Sequence, residues 1–464
     1  MIRALHGYLP PRVLALGLGE VLIIGACFVL ATLLRLGSDA YFELQYLGGF
    51  FKIGLVCFVC VLCLYFYDLY DPHVFANKRE LVSRAPQVVG TAMILLGLLY
   101  YMYPPLGIGR GIFVLGIPLL GLGLIGYRMG FLWLTHALPF AENTLVLGEG
   151  VLAHDLAKEI RRRPELGLRF VGLVNDNSQP PAPGNGAREL PVVGTPAQLV
   201  SLVAERDVQR LIVAMQDRRG KLPIEELLRL KARGIFVDEG TSLYESLSGK
   251  IALASLKPGW LVFAQGFAIS RLQESGMRLL SVAVAGIGLL FFGPVMLLLA
   301  LLNKLEGAVL YRQERVGQHG RVFRLTKFRS MHDDAESHTG PVWAQEHDPR
   351  ITRLGRLMRK WRLDELPQFL NVLRGDMNVV GPRPERPCFV EELRQKIPFY
   401  DYRHMVKPGI TGWAQVNFHY ADSELSTMEK LQYDLFYCKN RSLGLDLLIL
   451  FHTAKIVLLG RGAH

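Results

Sequence analysis

Uncharged apolar runs dominate the start of the chain. Val13 to Leu34 carries Glu20 as its only charge, and Tyr46 to Tyr67 carries only Lys52. Each is long enough for a hydrocarbon core that takes about 20 helical residues to cross. Val88 to Tyr103 and Gly111 to Tyr127 are shorter uncharged runs, extended by Tyr100, Tyr101, Tyr103 and Trp133 as interfacial anchors. Four consecutive segments of this kind fit membrane helices better than a soluble core, which would need four helices hydrophobic all round. No cleavage pattern follows the first run, and Arg3 and Arg12 precede it, so it reads as a retained anchor. Lys78, Arg79 and Arg84 in the second link, against little beyond Arg110 in the third, place the N-terminus and everything after the fourth run in the cytoplasm.

A fifth run, Leu279 to Leu302, is 24 residues without a charge, with Gly293-Pro294 just past its middle. Proline removes a backbone donor and crowds the preceding turn, so a break or kink is expected at Pro294. A crossing here would put the basic C-terminal part outside the cell. A re-entrant helix that enters and leaves on the cytoplasmic face avoids this, and a kinked spanning helix is the alternative.

Between these regions, Asn143 to Lys250 alternates strand and helix patterns. Thr144 to Leu147 reads as a strand, followed by Gly148-Glu149-Gly150-Val151-Leu152-Ala153 and a helix through Arg163. Gly148 and Gly150 fit a pyrophosphate-binding turn, and Asp176 is the acid at the end of a second strand, Arg169 to Asn175. Leu211 to Met215 and Ile235 to Asp238 are further strands around a helix from Ile224 to Arg233, which predicts a doubly wound parallel sheet. No Tyr-x-x-x-Lys pair supports dehydrogenase or epimerase chemistry. A Rossmann-like domain used for assembly or regulation stands beside the cofactor reading.

Composition narrows the class. Of 464 residues, 50% are hydrophobic and 20% charged, which excludes a disordered or fibrous chain. Lys and Arg number 52 against 41 Asp and Glu, a net charge of +11, which calls for an anionic partner: nucleic acid, lipid headgroup or phosphorylated substrate. Cys27, Cys57, Cys60 and Cys63 lie in apolar runs without nearby His or acid, and read as packing residues.

Candidate chemistry concentrates after the fifth run. Tyr311 to Gly317 and Phe323 to Met331 alternate like short strands that project Arg315, Lys327 and Arg329, side chains suited to phosphate. Arg350, Arg353, Arg356, Arg359, Lys360 and Arg362, interleaved with Leu354, Leu357, Met358 and Trp361, make a basic amphipathic helix suited to an anionic membrane interface. Asp364-Glu365-Leu366-Pro367-Gln368 follows, with Asp364 expected at or near a helix N-cap because Pro367 belongs in a first turn. Prolines on both sides of Arg383 fix the backbone under that guanidinium. Leu443 to Leu459 reads as a last apolar helix resting on the membrane.

Taken in order, Arg312 to Gly317, Lys327-Phe328-Arg329-Ser330-Met331, Asp364-Glu365-Leu366-Pro367-Gln368, Gly381-Pro382-Arg383-Pro384-Glu385 and Pro408-Gly409-Ile410-Thr411-Gly412-Trp413 closely resemble the bacterial sugar transferase family, the monotopic phosphoglycosyl transferases. The resemblance covers about Gly276 to His464, and the four spans plus Rossmann-like domain resemble the family's large form. It implies a membrane protein, α plus α/β, divided into residues 1–140 (four transmembrane helices), 141–250 (Rossmann-like), 251–275 (linker) and 276–464 (catalytic, with interfacial helices and a re-entrant helix at about 278–303). The implied reaction is transfer of a sugar 1-phosphate from a UDP-sugar to polyprenyl phosphate, through a covalent phosphosugar on Asp364, with release of UMP. Asp364 is then the nucleophile and a ligand of Mg²⁺, and Glu365 positions the metal or assists proton transfer. Lys327 and Arg329 meet the phosphates, Arg383 meets the uridine part, and Arg315 and Glu385 complete the substrate site. Anionic lipids and a homodimer are the further partners implied, and the location is the cytoplasmic face of a bacterial inner membrane. Nucleic acid drops out. A membrane scaffold or regulator of polysaccharide export with a nucleotide-sensing middle domain is the competing class, and the intact Asp364-Glu365 pair counts against it.

Overall fold

The computed structural model describes residues 11–70, 78–137, 141–163, 166–175, 190–215, 222–256, 266–332, 350–418 and 424–459. These form two compact units, Met1–Leu247 and Ser248–His464.

In the first unit, helices α1 (Pro11–Leu36), α2 (Gly49–Phe66), α3 (Lys78–Met102) and α4 (Arg110–Ala137) pack in a ring, α1 touching α2 and α4, and α3 touching α2 and α4. Phe28, Val56, Cys60, Ala92, Leu96 and Leu120 sit in their common core, while Leu22, Phe58 and Leu122 face outward. Cys57, Cys60 and Cys63 are buried free thiols in this core, as the packing reading expects. Each of the four helices is long and apolar enough to cross a membrane. α3 starts at Lys78, well before its uncharged run, and continues through Pro86. Its polar first turns are held by Arg84, which donates to Glu80 at 2.7 Å and to the Tyr67 carbonyl at 3.0 Å.

Glu20 proves to be paired. Arg128 Nε donates to its Oε1 at 2.5 Å and Tyr70 Oη to its Oε2 at 2.5 Å, while Arg128 Nη1 caps the Leu69 carbonyl at 2.9 Å. Both ends of the pair are fully buried, so α1, α4 and the end of α2 are tied at one point. Arg128→Ala would leave the Glu20 carboxylate alone in an apolar bundle, and is expected to cost roughly 3–5 kcal/mol. Glu20→Gln with Arg128→Met should lie much closer to wild type. Thermal unfolding in detergent distinguishes the two, and equal losses would show the pair is not what matters.

Strands β1 (Glu142–Leu147), β2 (Leu168–Val174), β3 (Val192–Gly194), β4 (Arg210–Val213) and β5 (Phe236–Glu239) form one parallel sheet in the order β3-β2-β1-β4-β5. The expected doubly wound arrangement is present, with α5 (Val151–Arg162), α6 (Leu199–Glu205) and α7 (Ile224–Ala232) as connections. Sequence reading missed β3, three residues too short to show alternation. Strand order reverses between β1 and β4, and Gly148 lies at that point with φ +135°. A Cβ there would come within 2.7 Å of the Ala214 carbonyl carbon, so close packing alone demands this glycine. Gly150 follows at the N-cap of α5, and Asp176 lies outside the described residues.

The second unit is built on α8 (Arg271–Glu306), a single helix that continues through Pro294. Of the break or kink expected there, a full break is absent: the chain is helical on both sides of Pro294. One face of α8 packs on the rest of the unit at both ends. Near its start Arg278 donates to the carbonyls of Val372 (2.6 Å) and Met377 (3.0 Å), and Ser281 Oγ accepts from Val379 N at 3.3 Å. Near its end Leu299 packs with Phe328 and Met358, and Asn303 donates to the Arg329 carbonyl at 3.1 Å. From Arg278 to Asn303 is about 37 Å of helix at 1.5 Å per residue. The other face, with Leu279, Ile287, Leu290, Phe291, Leu297 and Leu305, is apolar and exposed.

After α8 come the antiparallel pair β6 (Leu310–Val316) and β7 (Val322–Phe328), then α9 (Arg353–Lys360) and α10 (Gln368–Arg374). Short strands β8 (Asn378–Val380) and β9 (Gly409–Thr411) pair in parallel around α11 (Pro387–Lys396), and α12 (Glu424–Asn440) and α13 (Leu443–Leu458) close the unit. The basic amphipathic helix is shorter than its sequence pattern: within α9 Met358 is buried and Leu357 exposed, and Trp361 follows its end exposed. The stretch read as a linker starts inside this unit, since Ile251 is buried with its N–H on the Gln432 carbonyl at 3.2 Å, and Trp413 Nε1 donates to Gly249 O at 2.9 Å.

Tyr437 on α12 donates to Asp446 Oδ1 on α13 at 2.8 Å. Burial pushes the Asp446 carboxyl up to about 7, against the smaller opposing pulls of Tyr437 and Arg441. The folded chain therefore keeps a proton that the unfolded chain loses near pH 4, so this site subtracts stability as pH rises from about 4 to about 7. The slope approaches about 1.4 kcal/mol per pH unit. Asp446→Asn is expected to flatten melting temperature across that window and to raise it at pH 8.

Candidate active site

The acid pair is set by an irregular stretch of backbone. α9 ends at Lys360, and Arg362 takes a left-handed conformation (φ 54°), at a cost of roughly 1–2 kcal/mol for a residue with a Cβ. The 3₁₀ turn Leu363–Glu365 follows, and Pro367 (φ −61°) takes the N-cap position of α10. Asp364 is therefore in the turn ahead of the helix and not at its cap, since the fixed φ of Pro367 already suits the helix entry. In a 3₁₀ turn adjacent side chains diverge by about 120°, which gives the two acids different surroundings.

Glu365 Oε1 accepts from Arg383 Nη2 at 2.7 Å and pairs with Lys327 Nζ at 3.4 Å. Burial alone would raise this carboxyl, but Arg383, Lys327 and Arg362 outweigh it and hold Glu365 far below the usual carboxylate range. Asp364, equally buried, makes no hydrogen bond or ion pair with any described residue. Burial and the neighbouring Glu365 charge push its carboxyl up, with Lys327, Arg359 and Arg383 offsetting part of that. One acid is thus neutralised in place and the other is left uncommitted.

Lys327 lies on β7, and burial lowers its ammonium pKa, with Glu365 supplying the main counterweight. Asn371 on α10 accepts from Thr326 N at 3.0 Å and donates to the Arg324 carbonyl at 2.8 Å, so it fastens β7 to the helix that follows the acid pair. Sequence reading gave Asn371 no role, although a polar amide inside an apolar helix was the available signal. Arg329 lies one residue past β7, its N–H on the Val309 carbonyl at 3.1 Å. Arg359 Nε donates to Ser330 Oγ at 3.0 Å.

Arg315 and Glu385 are held by partners other than the acid pair. Arg315 Nε and Nη2 both donate to Gln313 Oε1, at 3.1 and 2.7 Å, and Nη1 donates to the Pro384 carbonyl at 2.9 Å. Glu385 pairs with Lys430 at 2.7 Å and with Arg315 at 3.5 Å. Burial would raise Glu385, but Lys430, Arg403 and Arg315 hold it down at about 2. Asp364, Glu365, Lys327 and Arg383 therefore converge, while Arg315 and Glu385 join a buried charge cluster behind the Pro-Arg-Pro loop.

Among the described residues no three His, Cys, Asp or Glu side chains gather to hold a metal. The described residues that meet here offer the Asp364 carboxylate and the remaining Glu365 oxygen. That donor set fits Mg²⁺, which is typically bound through one or two carboxylates together with substrate phosphates and water.

Residues 272–460 match the family model described as bacterial sugar transferase, and residues 65–229 match one described as a CoA-binding domain. The UDP-glucose:undecaprenyl-phosphate glucose-1-phosphate transferase of Escherichia coli (strain K12) is 32% identical over 333 residues, 70% of each chain. The undecaprenyl-phosphate glucose phosphotransferase of Komagataeibacter xylinus is 31% identical over 396 residues, 78% of this chain and 72% of the relative. The UDP-N-acetylgalactosamine-undecaprenyl-phosphate N-acetylgalactosaminephosphotransferase of Aeromonas hydrophila is 46% identical over 221 residues, 47% of this chain and about half (51%) of the relative's length. Five helices long and apolar enough to cross a membrane, with a parallel sheet, are those of a membrane α/β protein. The chain belongs to the bacterial sugar transferase family.

Proposed function

We propose that the chain transfers a sugar 1-phosphate from a UDP-sugar to polyprenyl phosphate, as the first step of a lipid-linked glycan. The observation that carries this reading is the division within the acid pair: Glu365 is held by Arg383 and Lys327, and Asp364 is uncommitted. A carboxylate oxygen of Asp364 attacks the β-phosphorus, the bond from that phosphorus to the bridging oxygen breaks, and UMP leaves with the electron pair. An oxygen of polyprenyl phosphate then attacks the same phosphorus, and Asp364 regains its carboxylate as the acyl-phosphate bond breaks. Lys327 and Arg383 supply positive charge beside the reacting phosphates, in a site that excludes most water. Bound Mg²⁺ would supply further charge neutralisation on the diphosphate, with Asp364 and Glu365 as its available protein ligands.

Contacts at both ends of α8 with one domain favour re-entry over crossing, because a spanning helix has its ends on opposite sides of the membrane. Cysteine labelling on either side of Pro294 is expected to find both ends on the cytoplasmic face, and a periplasmic catalytic domain would exclude re-entry. Relatives named for glucose and for N-acetylgalactosamine leave the sugar to be read by experiment. Purified full-length protein with Mg²⁺ and undecaprenyl phosphate should release UMP from one member of a UDP-sugar panel. No UMP from any member would sink the reading.

A further inference from the structure

The loop that presents Arg383 is held by its carbonyls. Pro382 and Pro384 have no N–H to anchor it, and four successive carbonyls are all taken, the last two of them by β6. Pro382 O accepts from Gly409 N at 3.0 Å and Glu385 O from Val316 N at 2.9 Å. Pro384 O accepts from Arg315 Nη1 at 2.9 Å, and Arg383 O from Arg403 Nη2 at 2.9 Å.

Arg403 is the least expected of these donors. It is 3% exposed, its Nη2 also donates to Asp434 Oδ2 on α12 at 2.7 Å, and its Nη1 donates to Tyr400 Oη at 2.7 Å. Burying such a pair earns little stability by itself, because well-packed apolar side chains of similar volume often do as well or better. What an apolar pair could not do is reach the Arg383 carbonyl while braced against α12. A guanidinium fork does both at once, and an ammonium point charge does not.

We propose that Arg403, charged against Asp434, is a positioning residue of the active site: it fixes the backbone of Arg383 so that the Arg383 guanidinium lands on Glu365 and Asp364 stays free to react. This rests on the roles given above to the acid pair. Arg315 serves the same loop at the next carbonyl, which accounts for a phosphate-type arginine that spends its donors on Gln313 and Pro384.

Arg403→Lys keeps the charge opposite Asp434 and removes the fork. UMP release by this variant is expected to fall in kcat by about tenfold. In an Arg383→Gln background, where no guanidinium is left to place, the same change should alter kcat by less than about twofold. Asp434→Asn, which keeps shape and acceptor, should follow the same pattern if Arg403→Lys folds poorly. An equal fractional loss in both backgrounds, or no loss in the first, overturns the proposal. A structure of the Arg403→Lys variant gives an answer independent of turnover: Arg383 should leave Glu365, and a retained 2.7 Å contact would overturn it. An inactive wild type would instead sink the proposed reaction, and the structure would still decide the role of Arg403.

Discussion

Asp364→Asn is expected to reduce UMP release by roughly 10³-fold or more, as loss of a covalent nucleophile does, without lowering the melting temperature. Its carboxylate has no hydrogen-bond or ion-pair partner among the described residues to lose, and it sits buried beside a second carboxylate that pushes its pKa up. The ionised form therefore costs stability at neutral pH, and asparagine removes that cost at nearly constant shape. Glu365→Gln should behave oppositely. It strips the partner from Arg383 and Lys327 while both remain largely buried, and breaking such a pair from one side costs roughly 3–5 kcal/mol. Activity should fall in both variants, but only the Glu365 variant should melt early. The check is UMP release and thermal unfolding on the same preparations. Undiminished UMP release from Asp364→Asn ends the nucleophile assignment, and an early melt of that variant alone would reverse the two roles.

What the sequence made legible follows from range. Apolar runs, the alternating segments of the middle domain, and the Asp364-Glu365 and Pro-Arg-Pro motifs are local patterns, and the structure brings Lys327, Glu365 and Arg383 together. The strand pattern projects Arg315 and the resemblance adds Glu385, but the partners that hold them, Pro384 and Lys430, lie far along the chain. A strand pattern says which residues share a face, and Arg315 does share one with Gln313; it does not say what that face meets. At Pro294 local propensity marks a weak point in a helix, and the chain stays helical across it with packing contacts on either side. The helices outrun the uncharged segments because charge marks where the hydrocarbon stops, and hydrogen bonding carries α3 and α4 beyond it.

Gly409→Ala is expected to cost more than about 3 kcal/mol, above the usual range for an added methyl group, and to abolish UMP release. β8 and β9 pair with Asn378 opposite Gly409 and Val380 opposite Thr411, and Gly381 N donates to the Thr411 carbonyl at 2.9 Å. A Cβ on Gly409 would stand 2.1 Å from Gly381 N and 2.5 Å from Thr411 O, and one on Gly381 would stand 2.4 Å from Lys407 O. These neighbours are backbone atoms with no rotamer to change, so relief requires the strands to part. Parting them breaks the bond from Gly409 N to Pro382 O, the first of the four carbonyl anchors under Arg383. The damage therefore runs from a methyl group on β9, through the Pro-Arg-Pro loop, to the brace on Glu365. Gly286, on α8 with nothing within 4 Å of its Cβ position, is the control. There alanine should be tolerated or mildly stabilising, by about 0.5–1 kcal/mol from the loss of glycine's backbone freedom. If Gly409→Ala melts and turns over like Gly286→Ala, the two motifs are not one backbone weave, and the placement of Arg383 needs another cause.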